Sequence, residues 1–87
     1  MSAEVKIYTR KWCGYCTAAE RLLTKKGVQF ENIDCTGDQK KRNWLAEVTG
    51  RTTVPQIFIN GQHIGGSDEL AALEQAGRLD ALLTQPA

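Results

Sequence analysis

The sequence is short of long apolar runs, of cysteine and of any excess of one charge, and each lack removes a class of protein. No stretch approaches the ~20 consecutive apolar residues of a membrane-spanning helix. Glu4, Lys6, Arg10 and Lys11 break up the N-terminal region, so no signal-peptide core fits there. Lys and Arg number 11 against 10 Asp and Glu, a net charge of +1. The chain therefore has no long-range field for nucleic acid or an anionic membrane. Ionic recognition must be local, which points to a small ligand. Three cysteines are too few, and odd in number, for the disulfide framework of a small secreted domain; the expected setting is reducing and cytoplasmic. Linkers, internal repeats and low-complexity tracts are missing as well. What is there is an ordinary globular composition, 41% apolar and 24% charged, in a length that holds one domain spanning 1–87 and one core.

Val5, Ile7 and Thr9 alternate with Lys6 and Tyr8 as in a strand. A polar loop leads to Cys13-Gly14-Tyr15-Cys16, and Ala18, Ala19, Leu22 and Leu23 then recur at helical spacing until Gly27. Val28, Phe30 and Ile33 predict a second strand, closed by the turn-rich segment from Asp34 to Asp38. A second helix is predicted over Gln39 to Thr49, with Trp44, Leu45 and Val48 as its apolar face and Gly50 as its end. Ile57, Phe58 and Ile59 form a third strand, and Asn60-Gly61 is a strong hairpin signal that returns Gln62 to Gly65 antiparallel. Ser67 is the predicted N-cap of a terminal helix marked by Leu70, Leu73, Leu79, Leu82 and Leu83 and interrupted at Gly77. The order βαβαββα predicts an α/β fold, a four-stranded mixed sheet with helices on both faces.

Cys13 and Cys16 stand three apart at the start of the helix that follows the first strand, and a C-x-x-C pair beside a βαβ pattern is a thioredoxin-like redox signature. Residues at i and i+3 on a helical turn lie ~5 to 6 Å apart, within disulfide reach. Reactivity asks for more, because a thiol with an ordinary pKa of ~8.5 is mostly protonated at neutral pH and only the thiolate is nucleophilic. Bringing it to ~6.5 takes roughly 2.7 kcal/mol, whereas a helix dipole supplies only ~0.3 to 1, rarely ~2. The unpaired first-turn N–H groups of Tyr15 and Cys16 can each add ~1.5 to 3 kcal/mol toward a charged acceptor. Arg10 and Lys11 add positive charge nearby. Cys13, at the helix entrance, is thus the expected nucleophile, and Cys16, further into the turn, the resolving thiol. The alternatives are two packed thiols or half of a zinc site. Zinc would need Cys35 and His63 as further ligands, and neither has ligand-pair spacing, so no metal is expected.

Two further segments bear on binding. Pro55 cannot donate to a strand ladder, so Val54 either offers unpaired backbone groups to an extended peptide or simply precedes a strand. Sequence alone gives a cis bond there only ~5 to 6% of the time. Gly65 and Gly66 permit close backbone approach, and the helix start at Ser67 is either a set of N–H donors for an anion or a plain cap with an acidic first turn.

Cys13-Gly14-Tyr15-Cys16, Thr53-Val54-Pro55 and Gly65-Gly66-Ser67-Asp68, in this order and at these separations, resemble a glutaredoxin over nearly the whole chain. Gly50 to Ile59 and Gln62 to Gly66 resemble the short bacterial dithiol glutaredoxins in particular. The resemblance implies a thioredoxin fold and a glutathione-dependent oxidoreductase, monomeric, acting on protein disulfides and glutathione mixed disulfides, with ribonucleotide reductase among the family's clients. It implies a cis Pro55 and a Thr53-Val54-Pro55 segment in which Val54 pairs with the cysteine of glutathione as a short strand addition. It also implies that Gly66 and Ser67 receive the γ-glutamyl carboxylate and Asp68 the α-ammonium. Arg10, Arg51 and Gln56 are candidates for the glycine carboxylate at the opposite end, and Tyr15 flanks the groove.

The chain departs from the family pattern at three places. Many dithiol members have proline where this chain has Gly14, the family's lysine before the nucleophile is Arg10, planar and forked, and a further cysteine of many relatives is replaced by Ser67. Gly14 motivates a second reading, because some members without that proline hold a two-iron two-sulfur cluster between two protomers. The nucleophilic cysteine, here Cys13, and bound glutathione are its ligands, so a dimer would form only with the cluster. A thioredoxin without glutathione dependence is the third reading, disfavoured by Tyr15 and by the Gly65 to Asp68 segment. Cys35 is expected to be a structural thiol and His63 to sit on the hairpin surface without a catalytic role. Lys40, Lys41 and Arg42 beside Trp44 read as a solvated helix face, and Trp12 either shields the sulfur or contacts partners.

Overall fold

The structure, a computed structural model, describes residues 3–86. Met1, Ser2 and Ala87, the ends of the 1–87 domain expected from the sequence, lie outside the described residues. The elements in chain order are β1 (Val5–Thr9), α1 (Gly14–Lys25), β2 (Glu31–Asp34), α2 (Gln39–Thr49), β3 (Gln56–Ile59), β4 (Gln62–Gly65), α3 (Ser67–Gln75) and α4 (Leu79–Thr84). The four strands form one sheet in the order β2-β1-β3-β4. The β1–β2 pair is parallel, as the intervening helix requires, and the β1–β3 and β3–β4 pairs are antiparallel. At the hairpin, Asn60 (φ 51°) and Gly61 (φ 78°) both adopt the left-handed backbone that a two-residue turn of matching twist demands. Asn60 also locks the turn to the start of β1, its N–H donating to the Glu4 carbonyl and its Oδ1 accepting from the Glu4 N–H, both at 2.8 Å.

Each face of the sheet is covered by helix. On one face Ala19 and Leu23 of α1, Leu70 of α3 and Leu79 and Leu83 of α4 pack on Val5, Ile7, Ile57 and Ile59. On the other, Leu45 of α2 packs on Tyr8 and Cys35, with Ile33, Val54 and Phe58 alongside. Lys26, just past α1, bridges Glu74 at 2.6 Å and Asp80 at 2.8 Å, tying the first helix to the last two. No helix among the described residues is long and apolar enough to cross a membrane.

Four sequence expectations are corrected. The terminal helix is two helices, because the chain reverses at Gly77 and the Arg78 N–H closes back on the Leu73 carbonyl at 2.9 Å; the order is βαβαββαα. The second strand begins only at Glu31, with Val28 and Phe30 packing against the core ahead of it. Of the expected apolar face of α2, only Leu45 is buried, while Trp44 (46% exposed) and Val48 (49%) face solvent.

The fourth correction concerns the start of α3, where the N-cap is Gly66 and Ser67 is the first helical residue. Without a side chain at the cap, the helix is closed by Glu69, three residues on, whose Oε1 accepts from the Gly66 N–H at 2.7 Å. This is the carboxylate half of a capping box. The same oxygen accepts from Arg51 Nη1 at 2.7 Å. The carboxylate folds over Gly65, whose backbone (φ 126°) and packing both demand glycine: a Cβ there would lie 2.5 Å from Glu69 Oε1. Bonding to the Gly66 N–H first, and to Arg51 second, holds the Glu69 carboxyl below its ordinary value of 4.5.

Two expectations follow for stability. Leu45→Ala lowers the unfolding free energy by about 2 to 4 kcal/mol in chemical denaturation, whereas Val48→Ala changes it by under about 0.5 kcal/mol; equal losses would restore the broader apolar face. A depressed carboxyl contributes stability that is complete above its unfolded value and is lost as pH falls through the lower folded one. The stability difference between wild type and Glu69→Gln should therefore be constant above pH ~5.5 and shrink as pH falls below 4.5. A difference that is flat through the acid range contradicts the bonding described.

Candidate active site

The chain leaves β1 at Thr9, turns through Arg10, Lys11 and Trp12, and enters α1 with Cys13 as the N-cap. The Cys13 sulfur fills the place a capping oxygen would take, accepting from the Cys16 N–H at 3.1 Å. Of the two first-turn donors expected at the sulfur, the Cys16 group is there; none from Tyr15 reaches it among the described residues. The first turn of α1 carries no acidic residue that would offset its positive end. Cys13 and Cys16 are joined as a disulfide, with Cα atoms 5.2 Å apart. Cys13 is half-buried and Cys16 is 1% exposed, so only the first sulfur meets solvent.

Cys13 opens onto a groove of about 550 Å³. Arg10, Tyr15, Arg51, Thr53, Val54, Pro55, Gly66, Ser67 and Asp68, the candidate binding residues, all line it. They come from three chain segments that the sheet brings to one end: the β1–α1 loop, the loop before β3, and the start of α3. The Val54–Pro55 peptide is cis, and the Val54 carbonyl oxygen lies 3.8 Å from Cys13 Sγ. β3 joins β1 only from Gln56 onward, and among the described residues no hydrogen bond engages the Val54 N–H. Across from it, Gly66 approaches so closely that a Cβ would lie 3.2 Å from the Pro55 carbonyl oxygen.

Arg51 reaches the start of α3 through Glu69, which also lines the groove. Glu69 went unread in the sequence, although its place three residues after Gly66 is a capping-box signal. Lys11 does not line the groove but a second depression, with Thr36, Gly37 and Arg42, and Arg10 and Trp12 line both. Trp12 is 95% exposed, so its ring is not packed over the sulfur, one of the two roles the sequence left open.

Gln56 is not a ligand for the glycine carboxylate. It is 0% exposed, and its amide faces inward to Thr53 and His63. His63 accordingly is half-buried rather than on the hairpin surface, and burial first, then Arg51, pushes its pKa down. Cys35 is a free thiol, fully buried against Tyr8 and Leu45, and burial pushes its pKa up. No group of three or more His, Cys, Asp or Glu among the described residues is placed to hold a metal ion. A two-iron two-sulfur cluster would draw on Cys13 alone from this chain and take its other ligands from outside it.

Comparison with known proteins places this geometry. The glutaredoxin family model matches residues 5–64. A glutaredoxin of Pseudomonas aeruginosa is 55% identical over 80 residues, covering 92% of this chain and 95% of that protein. The solution structure of a glutaredoxin from Brucella melitensis superposes with a TM-score of 0.86 at 47% identity, over 95% of this chain and 90% of that one. The crystal structure of a buckwheat glutaredoxin–glutathione complex superposes with a TM-score of 0.87 at 28% identity, over 93% of this chain and 76% of that one. With the thioredoxin fold, the half-exposed Cys13 and the buried Cys16 in place, the chain belongs to the glutaredoxin family and is a thiol-disulfide oxidoreductase.

Proposed function

We propose that the protein reduces protein disulfides and glutathione mixed disulfides, with glutathione as the electron donor. The observation that carries this reading is the pairing of a helix-capping sulfur at Cys13 with an unpartnered backbone edge at Val54 across a groove of tripeptide size. A superposable glutaredoxin has been crystallised with glutathione, which supports the choice of ligand. Glutathione carries a carboxylate at each end and an ammonium at one. Its cysteinyl backbone pairs with Val54 as a one-residue strand addition, setting its sulfur against Cys13. Thr53 and Pro55 frame that segment and Tyr15 flanks it. The γ-glutamyl carboxylate lies at the start of α3, where Gly66 and Ser67 approach, and its ammonium meets Asp68. Arg10 and Arg51 receive the glycine carboxylate.

The Cys13 thiolate attacks one sulfur of the substrate disulfide; a new S–S bond forms, the old one breaks, and the departing thiolate takes a proton. With a glutathionylated protein the attacked sulfur is that of glutathione. The protein thiol leaves, and a second glutathione thiolate attacks the glutathione sulfur on Cys13, releasing oxidised glutathione and restoring the Cys13 thiolate. With a protein disulfide, the Cys16 thiol loses its proton and attacks Cys13 Sγ, releasing the second protein thiol and leaving the Cys13–Cys16 disulfide. Two glutathiones then return the pair to the dithiol with two electrons. The 5.2 Å Cα separation lets Cys16 reach Cys13 with little backbone movement.

Cys13→Ser should abolish both activities, a loss of roughly 10³-fold or more, whereas Cys16→Ser should keep deglutathionylation within roughly threefold and lose most reduction of protein disulfides. Loss of both in Cys16→Ser contradicts this division. Turnover should saturate with glutathione and not proceed with a thioredoxin reductase alone; the opposite pattern overturns the reading.

A further inference from the structure

Among the described residues Gln56 is the largest polar side chain with no solvent exposure, and both ends of its amide are used. Nε2 donates to the Thr53 carbonyl at 3.0 Å, with Thr53 Oγ1 at 3.4 Å, and Oε1 lies 2.6 Å from His63 Nε2. Because the Gln56 N–H is committed to Thr53, its oxygen faces His63, and His63 Nε2 must carry the hydrogen. Protonation of the ring leaves that donor in place. His63 is itself held by packing, its ring 5.2 Å from that of Phe58. The chain of bonds thus runs from β4 through β3 to the loop beside the nucleophile.

The Thr53–Val54 peptide is trans, so its carbonyl and N–H point in opposite directions. A bond that turns the Thr53 carbonyl inward therefore turns the Val54 N–H outward. We infer that Gln56, oriented by His63, is a positioning residue for glutathione: it pins the Thr53 carbonyl and thereby aims the Val54 N–H into the groove. Neither side chain touches the ligand, and both act through one peptide plane. This rests on the functional reading above, since it assigns the Val54 edge to glutathione.

The test is glutathione saturation with a glutathionylated peptide, beside the pH profile of Cys13 alkylation and far-ultraviolet circular dichroism. Gln56→Leu removes both bonds. Gln56→Glu keeps an acceptor for His63 and, as a carboxylate, loses the donor to Thr53. Both should raise KM for glutathione about three- to tenfold, the worth of one hydrogen bond, with the alkylation profile and fold unchanged. His63→Phe keeps a ring against Phe58 without the N–H and should raise KM about two- to threefold, while His63→Gln, which keeps a donor, should recover part of that. Folded Gln56 variants with wild-type KM, or with lowered alkylation and unchanged KM, overturn the inference. If the Gln56 variants do not fold, His63→Phe against His63→Gln decides by the same criterion. A wild-type protein that does not saturate with glutathione fails the functional reading and takes this one with it; a saturating wild type matched by its variants fails this one alone.

Discussion

The hydrogen bond from the Cys16 N–H to the Cys13 sulfur does two things at once. It satisfies one of the orphan donors at the start of α1, which every helix must place somewhere, and it aims a backbone donor at one sulfur of the redox pair. Capping the helix and addressing the sulfur are therefore one interaction. The residue that donates this bond is also the one whose buried sulfur closes the disulfide. The rest of the site is arranged around that point: β1 delivers the loop, and the Thr9 carbonyl accepts from the Cys35 N–H at 2.8 Å, holding the neighbouring loop against the same end of the sheet.

The groove is built from three separate chain segments, and Glu69 joins two of them. By accepting from both Gly66 and Arg51 it fastens the start of α3 to the loop before Pro55. The consequence is electrostatic as well as mechanical. Arg51 is partly neutralised by its partner, whereas Arg10 is paired with no carboxylate among the described residues. Arg10 is thus the groove cation that no carboxylate neutralises, while Arg51 contributes as much to the shape of the wall as to its charge.

Much of this was legible in the residues, for identifiable reasons. Asn60-Gly61 predicted its hairpin because only a few residues tolerate positive φ at both turn positions. The C-x-x-C spacing placed the sulfurs because a helical turn fixes the distance between i and i+3. Other features depend on tertiary context. Ser67 has the chemistry of an N-cap, yet the cap fell on Gly66 because Glu69, folded over Gly65, already serves its N–H. Trp44 and Val48 have helical spacing with Leu45, but α2 sits on the sheet by a narrower stripe. Gln56 became a candidate for the glycine carboxylate through the resemblance, and its burial leaves no mark in the sequence: it is His63 across the hairpin and the Thr53 carbonyl that satisfy the buried amide.

Trp12 shows what the site costs the fold. It adopts φ 56°, an uncommon backbone for a bulky residue, and its ring is 95% exposed, so burial returns nothing for the strain. What the strained turn does is reverse the chain between the end of β1 and the cap of α1, so that Cys13 arrives with its sulfur over the first turn. Tyr15, 69% exposed, lines the same groove. Cys13 itself is half-buried, and Trp12 and Tyr15 both line the groove it opens onto. With a net charge of +1 there is no long-range field to steer a charged partner. Recognition is thereby left to the local chemistry of the groove itself.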